Sequence, residues 1–292
     1  MATAGGLHGL DGPAGFEGRS LVALAHGGNV TWAVDGDGEM LRSEDDTWER
    51  AGALADPTPR CLLPHEDGVL LGTAEARLFR LRRDVVEPVE AFDEVEGRDA
   101  WFTPWGGPPD TRSLAADAAG TVHANVHVGG IVRSTPDGGW RPTIDIETDV
   151  HQVTAHPERA GLILAATAYG LARSDDGGDS WTMSDDGLHA SYCRAVAVAG
   201  DAVVVTASTG PRTRQAAVYR RPMDGAGPFD RCTGGLPEWF PSNIDTHTLA
   251  ADGPRVAFGT REGDVWVSGD AGSTWEQALE GLPRIAAVVW VA

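Results

Sequence analysis

The chain of 292 residues contains no lysine. All 23 basic residues are therefore arginine, set against 43 carboxylates, and the formal net charge is −20. A surface this negative excludes general binding to nucleic acid or to anionic membranes. The Ala, Gly and Arg excess points to a GC-rich genome, and the acidity suits high salt. Cysteine is scarce: Cys61, Cys193 and Cys232 cannot build a disulfide framework, so a reducing, cytoplasmic setting is expected. No run approaches the ~20 apolar residues of a membrane helix. The start, Met1-Ala-Thr-Ala-Gly-Gly-Leu-His8, lacks the basic end and apolar stretch of a secretion signal. Helix-period patterns are also missing. What remains is 41% hydrophobic residues, enough for a core, with 38 Gly and 10 Trp. An all-β protein is expected, as a single domain over residues 1–292 and as a monomer, since all-β rings run longer than ordinary domains.

One octet organises the chain. Ser174-Asp-Asp-Gly-Gly-Asp-Ser-Trp181 recurs as Ser268-Gly-Asp-Ala-Gly-Ser-Thr-Trp275. Eroded copies are Ser134-Thr-Pro-Asp-Gly-Gly-Trp140 and Ser43-Glu-Asp-Asp-Thr-Trp48. Asp and Gly supply turn chemistry, Ser and Asp side chains bond the turn's own backbone, and Trp opens the return strand. The octet resembles the Asp-box, or bacterial neuraminidase repeat. That resemblance implies a hairpin between the third and fourth strands of a β-propeller blade. Two apolar strands precede each copy, as in Arg194-Ala-Val-Ala-Val-Ala-Gly-Asp-Ala-Val-Val-Val-Thr206. First strands start near residues 19, 60, 112, 151, 194, 247 and 284. A spacing of about 42 residues fits one blade each. The last start runs off the chain, while Ala2–Leu10 reads like the end of a second strand and a third. Seven blades follow, the last closed by both termini; six blades with stray ends is the alternative.

In a propeller the octets lie on one face and the starts of the first strands on the other, where any chemistry belongs. Aligned on those starts stand Arg19, Arg60, Arg112, His151, Arg194, His247 and Arg284, every one basic or an imidazole. The offset to the octet serine is 21 to 24 residues in four blades, which supports the alignment. Clustered like charges need carboxylates or a bound anion, and arginine's planar fork suits carboxylate, sulfate and phosphate. The alternative is that repeat duplication left an Arg at each start, bonding loop carbonyls. Asp110, Asp149 and Asp245 each precede a basic residue by two, so each can pair with its own or a neighbouring blade's cation. Asn125 and His127 share a face near the mouth, with His123 deeper in the strand. His127 and His151, with Asp149 and His189 in reach, are candidates for a divalent metal or for proton transfer. No ligand spacing is diagnostic, so no cofactor is assigned and a divalent metal is kept as an alternative. Trp101, Trp105, Tyr192 and Trp239 can wall a pocket above the arginines, and Glu238 can supply an acid. Arg212 and Arg214 read as a mobile rim. Cys193, beside Arg194, reads as a small buried residue.

The octets and blades together resemble the sialidase-like propeller superfamily, with its photosystem II assembly-factor-like proteins, sortilin-type receptors and Asp-box glycosidases. They also resemble small propellers known only as repeat-containing, glycosyl-hydrolase-like proteins. Active sialidases carry an arginine triad, a Tyr–Glu nucleophilic pair and an early Phe/Tyr-Arg-Ile-Pro motif. The nearest match is Pro283-Arg284-Ile285-Ala286, at the other end of the chain, and no Tyr–Glu pair can be placed. The expected function is therefore a binding or scaffold propeller. It recognises an anionic small molecule or a protein carboxylate. An acidic-sugar glycosidase or lyase using His127, Asp149, His151 and Glu238 is one alternative, and a metal-dependent hydrolase is another.

Overall fold

The computed structural model describes residues 1–291 except Asp46, Asp67, Trp105, Gly225 and Ala226. Seven four-stranded antiparallel sheets follow one another around a ring, so the fold is a seven-bladed β-propeller. Blade 1 holds Leu21–Gly27, Val30–Asp35, Glu39–Glu44 and Thr47–Ala53. The first strands of blades 2 to 6 are Pro59–His65, Asp110–Ala116, Val150–Ala155, Tyr192–Ala199 and Leu249–Asp252. Blade 7 is built from both ends of the chain: Ile285–Ala287, then Ala2–Thr3, Gly6–Gly9 and Gly12–Gly15. Ala2 pairs with Ala287, and the Ala4 amide donates to the Arg284 carbonyl at 3.0 Å. Seven blades with terminal closure were expected, and the structure has them.

The physical reason is the pattern of apolar residues. Ala202–Ser208 is buried along its whole length, as a strand covered on both faces must be. Its hairpin turns on Gly200-Asp201, where Gly200 takes the positive φ (+57°) that a two-residue loop demands. Burial is divided among seven clusters, one between each pair of neighbouring blades. Phe258, Trp266 and Trp275 pack on Val204 and Val218 between blades 5 and 6, while Leu7, Ala2 and Ala287 pack on Leu21 and Leu41 between blades 7 and 1. The core is thus a ring of sheet-on-sheet contacts.

The octets sit on the hairpins between third and fourth strands. Ser174 Oγ accepts from the Gly178 amide at 2.7 Å and donates to Asp176 Oδ1 at 2.7 Å. Asp176 accepts from the amide and hydroxyl of Ser180, and these bonds pull its carboxyl down to about 2. Ser268, Asp270 and Thr274 repeat the arrangement. Trp181 reaches blade 3 and donates Nε1–H to the Thr143 carbonyl at 3.1 Å. In the third copy Ser134 Oγ instead accepts from the Val122 amide. Asp46 of the fourth copy lies outside the described residues.

Candidate functional site

The mouth opposite the octets is shaped by β-bulges. In blades 2 to 5 the pairing of the first strand with the second slips by one residue, at Arg60, Arg112, His151 and Arg194. A bulge leaves its extra residue unpaired and re-aims the side chain. These four are equivalent positions. The other three are not. In blade 1 the bulge falls at Val22 and in blade 7 at Ala286, so Arg19 and Arg284 stand upstream of the equivalent place. His247 precedes the first strand of blade 6 and has φ +66°. A single uniform circle of seven cations is therefore corrected to four bulge residues and three that approach differently.

Each cation then has its own setting. Arg19 Nε donates to Asp35 at 3.1 Å, and Arg19 also pairs with Glu39, within its own blade. Arg60 pairs with Asp110 of blade 3 at 3.1 Å. Arg194 Nε donates to Asp245 Oδ1 at 2.9 Å, a second bond from the same guanidinium meets that oxygen, and Arg112 lies 3.5 Å from it. Burial pulls the Arg112 guanidinium down to about 10, helped by repulsion from Arg194. Burial alone raises the Asp245 carboxyl, but Arg194 and Arg112 outweigh it and hold the group below its ordinary value. Each of the three aspartates pairs first with a neighbouring blade's cation.

The segment Asp245–Thr248 crosses the mouth. Thr246 Oγ1 donates to the carbonyls of His151 (3.1 Å) and Arg194 (3.2 Å), and His247 Nε2 lies 2.8 Å from the Arg112 carbonyl. Blade 6 is thereby tied to blades 3, 4 and 5, and burial lowers the His247 imidazole.

Beside this crossing, His127, Asp149 and His151 converge. Asp149, held at φ +49° after a short 3₁₀ turn, places Oδ1 3.1 Å from His127 Nε2 and 3.7 Å from His151 Nε2. His151 is fully buried and its Nδ1 is 2.6 Å from the Cys193 carbonyl. Burial, then Arg194 and Arg112, pull the His151 imidazole down to about 3, so it is neutral. The Tyr192 ring lies 4.6 Å from His151 and its hydroxyl accepts from Arg194 at 3.3 Å. Asn125 is wholly buried two residues deeper than His127 and reaches Ser113 at 3.4 Å.

Several other candidates lie elsewhere. His189 binds the Tyr219 hydroxyl (2.8 Å) and the Gln215 carbonyl (3.0 Å), away from the His127 cluster. Trp239 packs on His189 and under the Arg231 guanidinium rather than walling the arginines. Trp101 packs on Phe92 and under Arg98. Glu238 is exposed, and among the described residues no hydrogen bond or ion pair joins it to the cluster. Trp105 lies outside the described residues. Cys193 is fully buried, which pushes its thiol up to about 12 and makes it inert.

A cavity of about 480 Å³ opens at the same mouth between blades 5, 6 and 7. Arg194, Arg212, Arg214, Arg261 and Arg284 line it, against Asp245 and Glu262. Asp245 is already held by Arg194, and Glu262 accepts from Ser242 at 2.5 Å. No ion pair reaches Arg212, Arg214, Arg261 or Arg284 among the described residues. The loop expected to be a mobile rim is organised by Thr213, which bonds Thr209 and Gln215, and by Asn243, which donates to the Gly210 and Pro211 carbonyls. Arg261 was not among the residues singled out from sequence. It sits in the short turn after Gly259, outside the repeat signal.

The architecture defines a propeller whose one mouth carries a cation-rich cavity and a buried His–Asp–His cluster. No protein-family model matches the chain, and no curated protein matches it. Solved structures share the fold. The WD40 repeats of RRP9 superpose with a TM-score of 0.68 at 12% identity, covering 95% of this chain and 86% of that one. YCF48 from Cyanidioschyzon merolae gives 0.59 at 17% identity, covering 87% and 81%. The GH74 enzyme of Niastella koreensis gives 0.62 at 15% identity, covering 88% of this chain and 45% of that one. At these identities the likeness concerns the fold alone. Among the described residues no helix is long and apolar enough to cross a membrane.

Proposed function

We propose that this chain is a binding propeller that recognises a carboxylate- or phosphate-bearing small molecule, or a carboxylate of a protein partner, in the cavity between blades 5, 6 and 7. The observation that carries the reading is the surplus of guanidinium there: five arginines face two carboxylates, and both carboxylates are engaged. Arg212, Arg214, Arg261 and Arg284 are exposed on one concave surface, so they repel one another modestly and present donors that favour an anion there, inside a chain that is otherwise strongly acidic. A fold neighbour, YCF48, has been solved bound to the D1 peptide, which supports a peptide as one form of the ligand. The octets are read as Asp-boxes of a sialidase-like propeller, with a structural role on the opposite face. The protein is read as a cytoplasmic monomer.

The acidic-sugar glycosidase or lyase reading has less behind it. Its usual chemistry needs two carboxyls free to act as acid and base or nucleophile. Of the two carboxyls that reading names, Asp149 is held by His127, and Glu238 is exposed with no hydrogen bond or ion pair to the cluster among the described residues.

A thermal-shift panel of citrate, glucuronate, phosphate and an acidic peptide tests the binding reading. A ligand at a hundredfold excess over its Kd stabilises by about 2.7 kcal/mol. At least one of these anions raises Tm, and Arg261→Ala and Arg284→Ala each reduce the rise. A flat panel, or an equal rise in both variants, refutes the reading.

A further inference from the structure

Six of the seven blades end the second strand, or follow it directly, with a side chain that bonds its own turn. Thr3, Thr73, Thr167 and Ser208 donate to turn carbonyls, while Thr260 and Asp35 accept from turn amides. Blade 3 has His127 at this place, and its ring reaches across to Asp149 of blade 4. At this blade the turn position makes an inter-blade contact instead.

His151 meets the same carboxylate with the wrong polarity. Its Nδ1, 2.6 Å from the Cys193 carbonyl, must carry the proton, because a carbonyl only accepts. Nε2 of the neutral ring is then a lone pair. It is buried, has no hydrogen-bond partner among the described residues, and faces Asp149 Oδ1 at 3.7 Å. Asp149 Oδ1 is likewise buried, with His127 Nε2 3.1 Å away on its other side. Two acceptors facing each other out of water repel unless a positive centre lies between them.

The three ligand atoms all fall within 4.8 Å of one another. Ligands about 2.1 Å from a tetrahedral ion stand about 3.4 Å apart, so the spacing suits a metal. An imidazole that donates its second ring N–H to a backbone carbonyl is also how metal-binding histidines are oriented. Nearby, Arg112 and Arg194 are offset by Asp245 and Asp149, so the neighbourhood is formally neutral before an ion arrives.

We infer that His127 Nε2, Asp149 Oδ1 and His151 Nε2 form a binding site for a divalent first-row transition ion of the zinc type. Two nitrogens and one carboxylate oxygen disfavour Mg²⁺ and Ca²⁺, which prefer oxygen. The Asp149 side chain is 30% exposed although its Oδ1 is buried, so the carboxylate links the cluster to the solvent of the mouth. The inference does not depend on the arginine cavity, and Arg261→Ala and Arg284→Ala leave its ligands in place.

The test uses untagged full-length chain, stripped with chelator and titrated with Zn²⁺ and with Co²⁺. The readouts are metal per chain after gel filtration and the visible absorption of bound Co²⁺. One ion per chain is expected, with affinity falling roughly tenfold or more in His127→Gln and in Asp149→Asn. Asp149→Asn preserves shape at a partly exposed position, so circular dichroism matching wild type is expected alongside the loss. Absence of stoichiometric binding overturns the inference. So does binding that both variants retain, which assigns the ion to other histidines.

Discussion

His123 is fully buried, with neither ring nitrogen hydrogen-bonded among the described residues and Asp117 Oδ2 4.0 Å away. Burial pulls its imidazole down to about 4, and that of His151 to about 3. Both values lie below the unfolded 6.5, so the unfolded chain takes up these protons first. Their contributions to stability are intact above pH 6.5 and are lost as pH falls through about 4 for His123 and about 3 for His151. For His123 the loss between pH 6.5 and 5 is about 2 kcal/mol. Urea unfolding of His123→Leu at these two pH values should show a smaller drop than wild type; an equal drop contradicts the assignment. The alternation of strand residues made His123 legible as a packed residue and His127 as a mouth residue. The pairing of His127 with Asp149 was legible because a carboxylate two residues before a basic residue has few places to go. The mutual polarity of His151 and Asp149 was not legible, because it hangs on one carbonyl, that of Cys193, whose direction no sequence pattern encodes.

At the scale of elements, the octet turns are held by side chains rather than by packing. Ser174 is buried and satisfies the Gly178 amide. Ser174→Ala leaves that amide unpaired at a cost of about 1–3 kcal/mol. A calorimetric Tm unchanged from wild type would show that the turn does not depend on it. These turns were readable because Ser, Asp, Gly and Trp recur at set places. The bulges were not readable. One extra residue in a first strand disturbs no hydrophobic run, and counting from strand start to octet hides it within an offset that already varies from 21 to 24 residues. That is why Arg19 and Arg284 aligned with Arg60, Arg112 and Arg194 on paper and separate from them in space. Arg261 was missed for the converse reason: it lines the cavity from the turn Thr260–Asp264, where the repeat carries only a hairpin.

The whole molecule is a ring closed by its own ends, with apolar burial shared among seven blade interfaces and charge divided by face. The net charge of −20 is an average. The crossing segment Asp245–Thr248 brings one carboxylate, Asp245, to both Arg112 and Arg194 on one side of the mouth. On the other side, four arginines keep no carboxylate partner among the described residues. The cavity is therefore where local charge opposes global charge, and an exposed guanidinium site of this kind weakens with salt. Calorimetric titration of the most stabilising anion at low and high salt tests this most directly. The wild type is compared with Arg261→Ala/Arg284→Ala and with a control that loses the same charge at Arg50 and Arg83. The account predicts saturable binding to wild type and control that weakens with salt, and at least a tenfold loss in the cavity variant. Equal binding by all three proteins, or none by any, would contradict it.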